Sequence, residues 1–190
     1  MAEDLALSGY QLGLRARFLT APVVAAPAPW RPAEHHEVAV GGLLGVGFGV
    51  DPGSGRDLLL VASSQGLGLL DSVSGKRLAR DREHEQGWPD DDLTCPGIGV
   101  LAGVRVPVAG LAGGGLHTGA EGWSVDVVSP DWPNDRVLLS NSSPYRGEHG
   151  EGWWHVFHSR HSELRAAGFS PSGRTLVVAT SSDVTLWTRA

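Results

Sequence analysis

Histidine, carboxylate and tryptophan are the side chains whose spacing here raises the question of chemistry. His155, His158 and His161 recur at intervals of three, with His149 just upstream. Imidazoles hold a metal when their nitrogens converge within a few ångströms, and they exchange protons near neutral pH. An extended strand places residues three apart on opposite faces. The three rings therefore converge only if the backbone turns after Phe157. The spacing favours structural or exposed histidines over a metal site. Glu34-His35-His36-Glu37 is a second cluster, but it lacks the H-E-x-x-H order of a zinc hydrolase and precedes an expected strand at Val38–Val40. Asp90-Asp91-Asp92 could face a hard cation. Without acidic residues at alternate positions and a glycine between them, it reads as a solvated loop.

Other catalytic chemistries find little footing. Gly41–Gly49 contains G-x-G patterns, but no Lys-Ser/Thr follows and it leads into a strand. A phosphate loop and a dinucleotide fingerprint both need a helix there. No G-x-S-x-G elbow occurs. Cys95 lies in the turn-like Thr94-Cys95-Pro96-Gly97, and a lone cysteine is most often a small buried apolar residue.

Seven tryptophans against two tyrosines is the most unusual feature of the composition. Trp187 and Trp123 sit in or at the start of strand-like runs. Trp30, Trp88, Trp132 and the pair Trp153-Trp154 lie beside loops rich in Pro, Gly and acids. Three readings stay open: rings plugging gaps between packed elements, interface anchors, or platforms stacking on a sugar or aromatic ligand. In Trp153-Trp154, strand alternation sends one ring inward and one outward. The candidate binding residues are Trp153, Trp154, His155, His158, Trp132 and Trp88, with Glu148 or Glu151 as partners if the ligand is a small molecule. No catalytic residue, metal or cofactor is assigned.

These side chains are held by short strands and tight turns. Leu164–Phe169 reads as a strand, Ser170-Pro171-Ser172-Gly173 as a turn, Arg174–Thr180 as a β-branched strand, Ser181-Ser182-Asp183 as a turn and Val184–Trp187 as an alternating strand. This resembles the WD40 repeat: apolar strand, S-P-D-G turn, apolar strand, S-x-D turn and a strand ending in Trp. His161 stands where that family carries its Gly-His dipeptide, with Arg160 replacing the Gly, and Trp187-Thr188 replaces Trp-Asp. The resemblance implies that His161 ties its repeat together through hydrogen bonds. Weaker echoes are Leu43–Val50 with Asp51–Gly55, Leu58–Ser63, Leu67–Asp71 and Ser74–Leu78, and Ser124–Val128 with Ser129-Pro130-Asp131 and Arg136–Asn141. The interval from Pro130 to Pro171 is close to half that from Pro52 to Pro130, and such repeats recur about every 40–45 residues. A degenerate unit with strands at Ile98–Leu101 and Val104–Val108 is therefore expected between them.

The resulting expectation is an all-β fold: a small β-propeller of about four blade-like units, or a half-propeller that pairs. The units fall near 36–81, 82–121, 122–158 and 159–190. In the family the N-terminus often supplies the missing outer strand of the last blade. Residues 10–18, alternating over Leu12, Leu14, Ala16 and Phe18, are expected to do so here. Pro22–Pro32, Asp81–Asp92 and Ser142–Gly152 read as loops.

Composition sets the bounds. The 190 residues include 27 Gly and 12 Pro, a density no long-helix bundle tolerates. Net charge is −6, from 15 basic and 21 acidic residues, with no basic run. That argues against nucleic acid as a partner. One cysteine excludes an internal disulfide and a cysteine-based zinc site. Lys76 is the only lysine, a bias expected of a GC-rich bacterial genome. No leader pattern or apolar span is visible, so a cytoplasmic protein without membrane contact is expected. Propellers of the resembled family commonly act as docking platforms. The expected function is thus a non-catalytic protein-interaction or scaffold module whose partner is another protein, including a second copy of the chain. The alternative is a small-molecule-binding protein or enzyme with a site at the channel mouth, using loop Trp and His.

Overall fold

The structure, a computed structural model, describes residues 6–83, 89–110 and 116–189. It is all-β apart from one α-helix and two short 3-10 turns among those residues. In chain order the elements are α1 (Gly9–Thr20), β1 (Arg31–Ala39), β2 (Leu43–Val50), β3 (Asp57–Ser63), β4 (Gly66–Asp71), β5 (Arg77–Asp81), β6 (Thr94–Pro96), β7 (Arg105–Pro107), β8 (Ala109–Gly110), β9 (Ser124–Asp131), β10 (Asn134–Ser140), β11 (Trp153–Ser159), β12 (Leu164–Phe169), β13 (Thr175–Thr180) and β14 (Asp183–Thr188). They form four antiparallel sheets, ordered β5-β4-β3-β2-β8, β6-β7, β11-β10-β9 and β1-β14-β13-β12.

The central strands are apolar on both faces because the three larger sheets are covered on both sides. In β13, Leu176 and Val178 face the β9–β11 sheet, where they meet Val125, Val137, Leu139 and Val156. Val177 and Ala179 face the other way, onto Leu59 and Val61 of β3. Leu58, Leu60 and Ala62 of β3 then turn to the β6–β7 hairpin and pack on Cys95, Leu101, Val106 and Val108. Leu138 of β10 points away from the inter-sheet core and packs with Phe18, Ala21 and Trp153. The order of layers is therefore α1, β9–β11, β1/β12–β14, β2–β5, hairpin. Such runs of buried aliphatics are what two-sided burial requires, since alternate residues serve opposite cores. No closed ring of sheets is detected among the described residues.

Polar ties bridge two of the layers at the Ser170–Gly173 turn. The Asp57 carboxylate accepts from both the amide and the hydroxyl of Ser172, and the Thr175 hydroxyl donates to Ser72 O at 3.2 Å. At the far side, a Cβ on Gly45 or Gly47 would overlap the carbonyl oxygen of Ala109 or Pro107. The glycines that alternate along β2 let a second backbone lie directly on the strand.

Residues 10–18 are not a strand. They belong to α1, which begins with a capping box: Gln11 N–H donates to the Ser8 hydroxyl at 3.3 Å and Ser8 N–H to the Gln11 side chain at 2.8 Å. No β-branched residue occurs before Thr20, so helix propensity overrides the alternation. The strand completing the last sheet comes from β1 instead, which pairs with β14 from Arg31↔Thr188 to Ala39↔Asp183. It carries Glu34-His35-His36-Glu37 and starts well before Val38. Ile98–Leu101 also differs from expectation. Gly99 takes a positive φ of 60° and Gly99–Leu101 forms a 3-10 turn, leaving β6 and β7 as a short hairpin.

Candidate functional site

The site is built where α1 meets the β9–β11 sheet. Opposite Val137 and Leu138, β11 inserts an extra residue: Val137 pairs with Phe157 but Leu138 with His155. This β-bulge resets the alternation. His155 and His158, three apart, consequently share the helix-facing side, with ring centroids 5.7 Å apart. An unbroken strand would place them on opposite faces, and the bulge overturns that expectation. His161 lies beyond the end of β11 and is exposed. It makes no hydrogen bond among the described residues, so it does not tie its repeat together as the resemblance implied.

The helix is held by polar groups at its C-terminal end. Arg136, buried on β10, donates to Phe18 O at 3.1 Å and to the Asp131 carboxylate at 3.2 and 3.4 Å. His155 Nδ1 lies 2.9 Å from Ala21 O, and Val24 N–H donates to His155 O at 2.8 Å. Since Ala21 O can only accept, Nδ1 of His155 carries the proton. Its Nε2 is buried with no partner. His158 is the opposite tautomer. Its Nδ1 accepts from Arg160 Nε at 3.0 Å, and its Nε2 faces Asp131 Oδ2 at 3.6 Å. The Arg136 hydrogen bond holds the Asp131 carboxyl below its usual range. Burial pushes both imidazoles below the ordinary histidine value, His155 further disfavoured as a cation by Arg136 and His158. Asp131 is neutralised by Arg136, and no group of three metal-ligating side chains converges here or elsewhere among the described residues. The arrangement can anchor a helix and respond to protons.

The tryptophans divide. Trp153 is 1% exposed under α1. It is met edge-on by Phe18 at 5.7 Å and His149 at 4.8 Å, with the Arg17 guanidinium 4.9 Å over its ring. Trp154 is on the opposite face, half-buried beside Trp123 in the inter-sheet core. Neither ring of the pair points to solvent, because both faces of β11 are covered. Trp132, at the β9–β10 turn, is 82% exposed. It forms one rim of a groove of about 460 Å³ running past Val128 and Pro130 to Leu7, Gln11 and Arg15 of the helix side. Trp88 lies outside the described residues. Glu148 and Glu151 are exposed and make no hydrogen bond to His155 or His158, so the expected carboxylate partners are not assembled with the rings.

A second feature is an apolar cavity of about 420 Å³ between β2 and β12, lined by Val46, Phe48, Pro107, Leu116, Ala166 and Phe169 among others. None of the candidate residues borders it. Cys95 is sealed in the hairpin core, where burial raises its thiol to about 11, well away from nucleophilic use.

Sequence reasoning missed Phe18, Ala21, Asp131 and Arg136. Ser8-Gly9-Tyr10-Gln11 was the available signal for the helix, and a lone arginine opening the run Val137-Leu138-Leu139 was the signal for a buried charge. Comparison with protein-family models, with curated proteins and with solved structures finds no match.

Proposed function

We propose that this chain is a non-catalytic protein-interaction module of a bacterial cytoplasm, an arc of propeller-type blades that presents the α1/β9–β10 groove to a partner protein. The observation that carries the reading is Trp132. A tryptophan 82% exposed at the rim of a groove is a costly surface residue unless something covers it, and tryptophan leads the residues that anchor interfaces. Tyr10 and Leu12 of the helix and Val127 of β9 are also exposed. The propeller reading draws support from three antiparallel sheets of five, three and four strands that follow one another along the chain, and from an N-terminal strand completing the last one.

Photo-crosslinking tests the interaction. A photoreactive phenylalanine at position 132, expressed in the native host, is expected to give a discrete adduct. The same group at exposed Arg174 serves as control. Equal adduct yields at both positions would defeat the reading. Sedimentation velocity over a range of concentrations determines whether the partner is a second copy of the chain.

The cavity between β2 and β12 favours a second reading, a small-molecule-binding protein. Its volume is within the range of ligand pockets, about 300–1,000 Å³, and its lining calls for an uncharged apolar ligand. Saturable binding of such a compound, weakened at least tenfold by Ala166→Phe, would support it.

A further inference from the structure

We propose that α1 and the segment through Val24 form a proton-released latch, with the His155 ring as its trigger. His155 is sealed from solvent. It holds the strap at two points, through Nδ1 to Ala21 O and through its own carbonyl to Val24 N–H. The remaining nitrogen, Nε2, is buried and faces no acceptor. As a lone pair it costs little more than a lost hydrogen bond. As an N–H on a cationic ring it would be a buried charge without a partner, which is far more costly.

The surroundings offer no relief. From β10, Arg136 brings positive charge, and Asp135 bonds instead to Ser129 at 2.5 Å. From β9, Asp131 is bound by Arg136, and Asp126 lies across Leu138 without a hydrogen bond to the ring. From β11 and the residue after it come His158 and the exposed Arg160. From the loop above, His149 Nε2 accepts the His155 amide at 3.3 Å, so it too is neutral in the docked form. From α1, Arg15 and Arg17 donate to Pro130 O and to the carbonyls of Pro144, Arg146 and Gly147. Every cation near the ring opposes a further charge, and every carboxylate is committed or remote.

The sign follows. The docked ring binds its proton less tightly than a free imidazole at about 6.5, and burial is the main cause. Below about 6.5 the released state therefore takes up a proton on His155 that the docked state disfavours. Docking is strongest above about pH 6.5 and weakens as pH falls below it, by about tenfold per pH unit for each proton taken up. β1 stays in its sheet, so release is confined to the chain before Trp30. It uncovers Val128, Leu138 and Trp153 and removes one wall of the groove at Trp132. That last consequence rests on the docking reading above; the release itself does not.

Hydrogen exchange on the full chain tests it. From pH 7.5 to 5, protection factors for amides of 9–24 are expected to fall at least tenfold, reversibly, while those of β13 hold. His155→Asn places an amide N–H where Nδ1–H stands and cannot titrate, so this variant is expected to stay docked. H149Q is expected to release as the wild type does. If 9–24 and β13 lose protection together, if H155N follows the wild-type profile, or if H149Q abolishes release, the latch is wrong. Should H155N not dock at pH 7.5, the Cε1 resonance of His155 in the unaltered protein decides. A chemical-shift titration coincident with loss of helix protection supports the latch, and titration with the helix still protected overturns it.

Discussion

The two ends of the stack solve one problem in opposite ways. Each must cover the outer face of a sheet. At the hairpin end, Cys95, Leu101, Val106 and Val108 seal Leu58, Leu60 and Leu69 by apolar packing, β8 adds a short ladder to β2, and alternating glycines in β2 let the cover lie against the backbone. At the helix end, Phe18 and Leu14 supply a small apolar contact, and the hold comes from Arg136, paired with Asp131, and from His155, which donate to main-chain carbonyls at the end of α1. Apolar burial is insensitive to pH and spreads over many contacts. A buried polar anchor concentrates the hold in a few bonds, and removing one partner strands the others. The first end is built to stay shut, the second to be conditional.

That contrast can be broken most forcefully at Leu60, which is wholly buried between the sheet and the hairpin. Leu60→Ala is expected to cost about 2–5 kcal/mol in chemical denaturation, by the same amount at pH 6 and pH 8. Loss confined to the hairpin would show the end to be less integral than its packing implies. Arg136→Met comes next, at about 2–3 kcal/mol. It breaks a mostly buried ion pair, whose full cost of about 3–5 kcal/mol is moderated because the Asp131 side chain is 30% exposed. Here the loss should appear first as exchange of α1 amides. Gly47→Ala is expected to cost about 1–3 kcal/mol by forcing Pro107 off β2, read as a shift of the denaturation midpoint. Ser8→Ala, which removes one half of the capping box, should cost about 1 kcal/mol. It is visible as several-fold weaker protection of α1 with the sheets unchanged.

The strands were largely legible because their pattern is local. Leu164–Phe169, Leu43–Val50 and Leu67–Asp71 carry apolar runs bounded by Ser, Pro, Gly and Asp turns, and a strand follows wherever those signals agree. The N-terminus was misread because Leu12, Leu14, Ala16 and Phe18 fit a period of two, while the capping box and the lack of β-branched residues point to a helix. The two signals conflict, and the cap together with tertiary contact at Phe18 decides. The site was legible only in its parts. Trp153, His155, His158 and Trp132 stand out by type, yet one inserted residue at Val156–Phe157 determines which of them share a face. A bulge is a mismatch between two strands and leaves no mark in either strand alone.

By itself, then, the sequence determined an all-β chain of short antiparallel strands, the turns between them, and a set of aromatic and imidazole side chains near Trp153. Those features depend on propensity and periodicity over a few residues. The tertiary structure decided which N-terminal segment completes the last sheet, which face each ring takes, and that Arg136 and His155 grip the end of α1. The first and last depend on contacts between residues more than a hundred positions apart, and the second on a mismatch between neighbouring strands; in each, burial and hydrogen-bond satisfaction act on the whole fold at once.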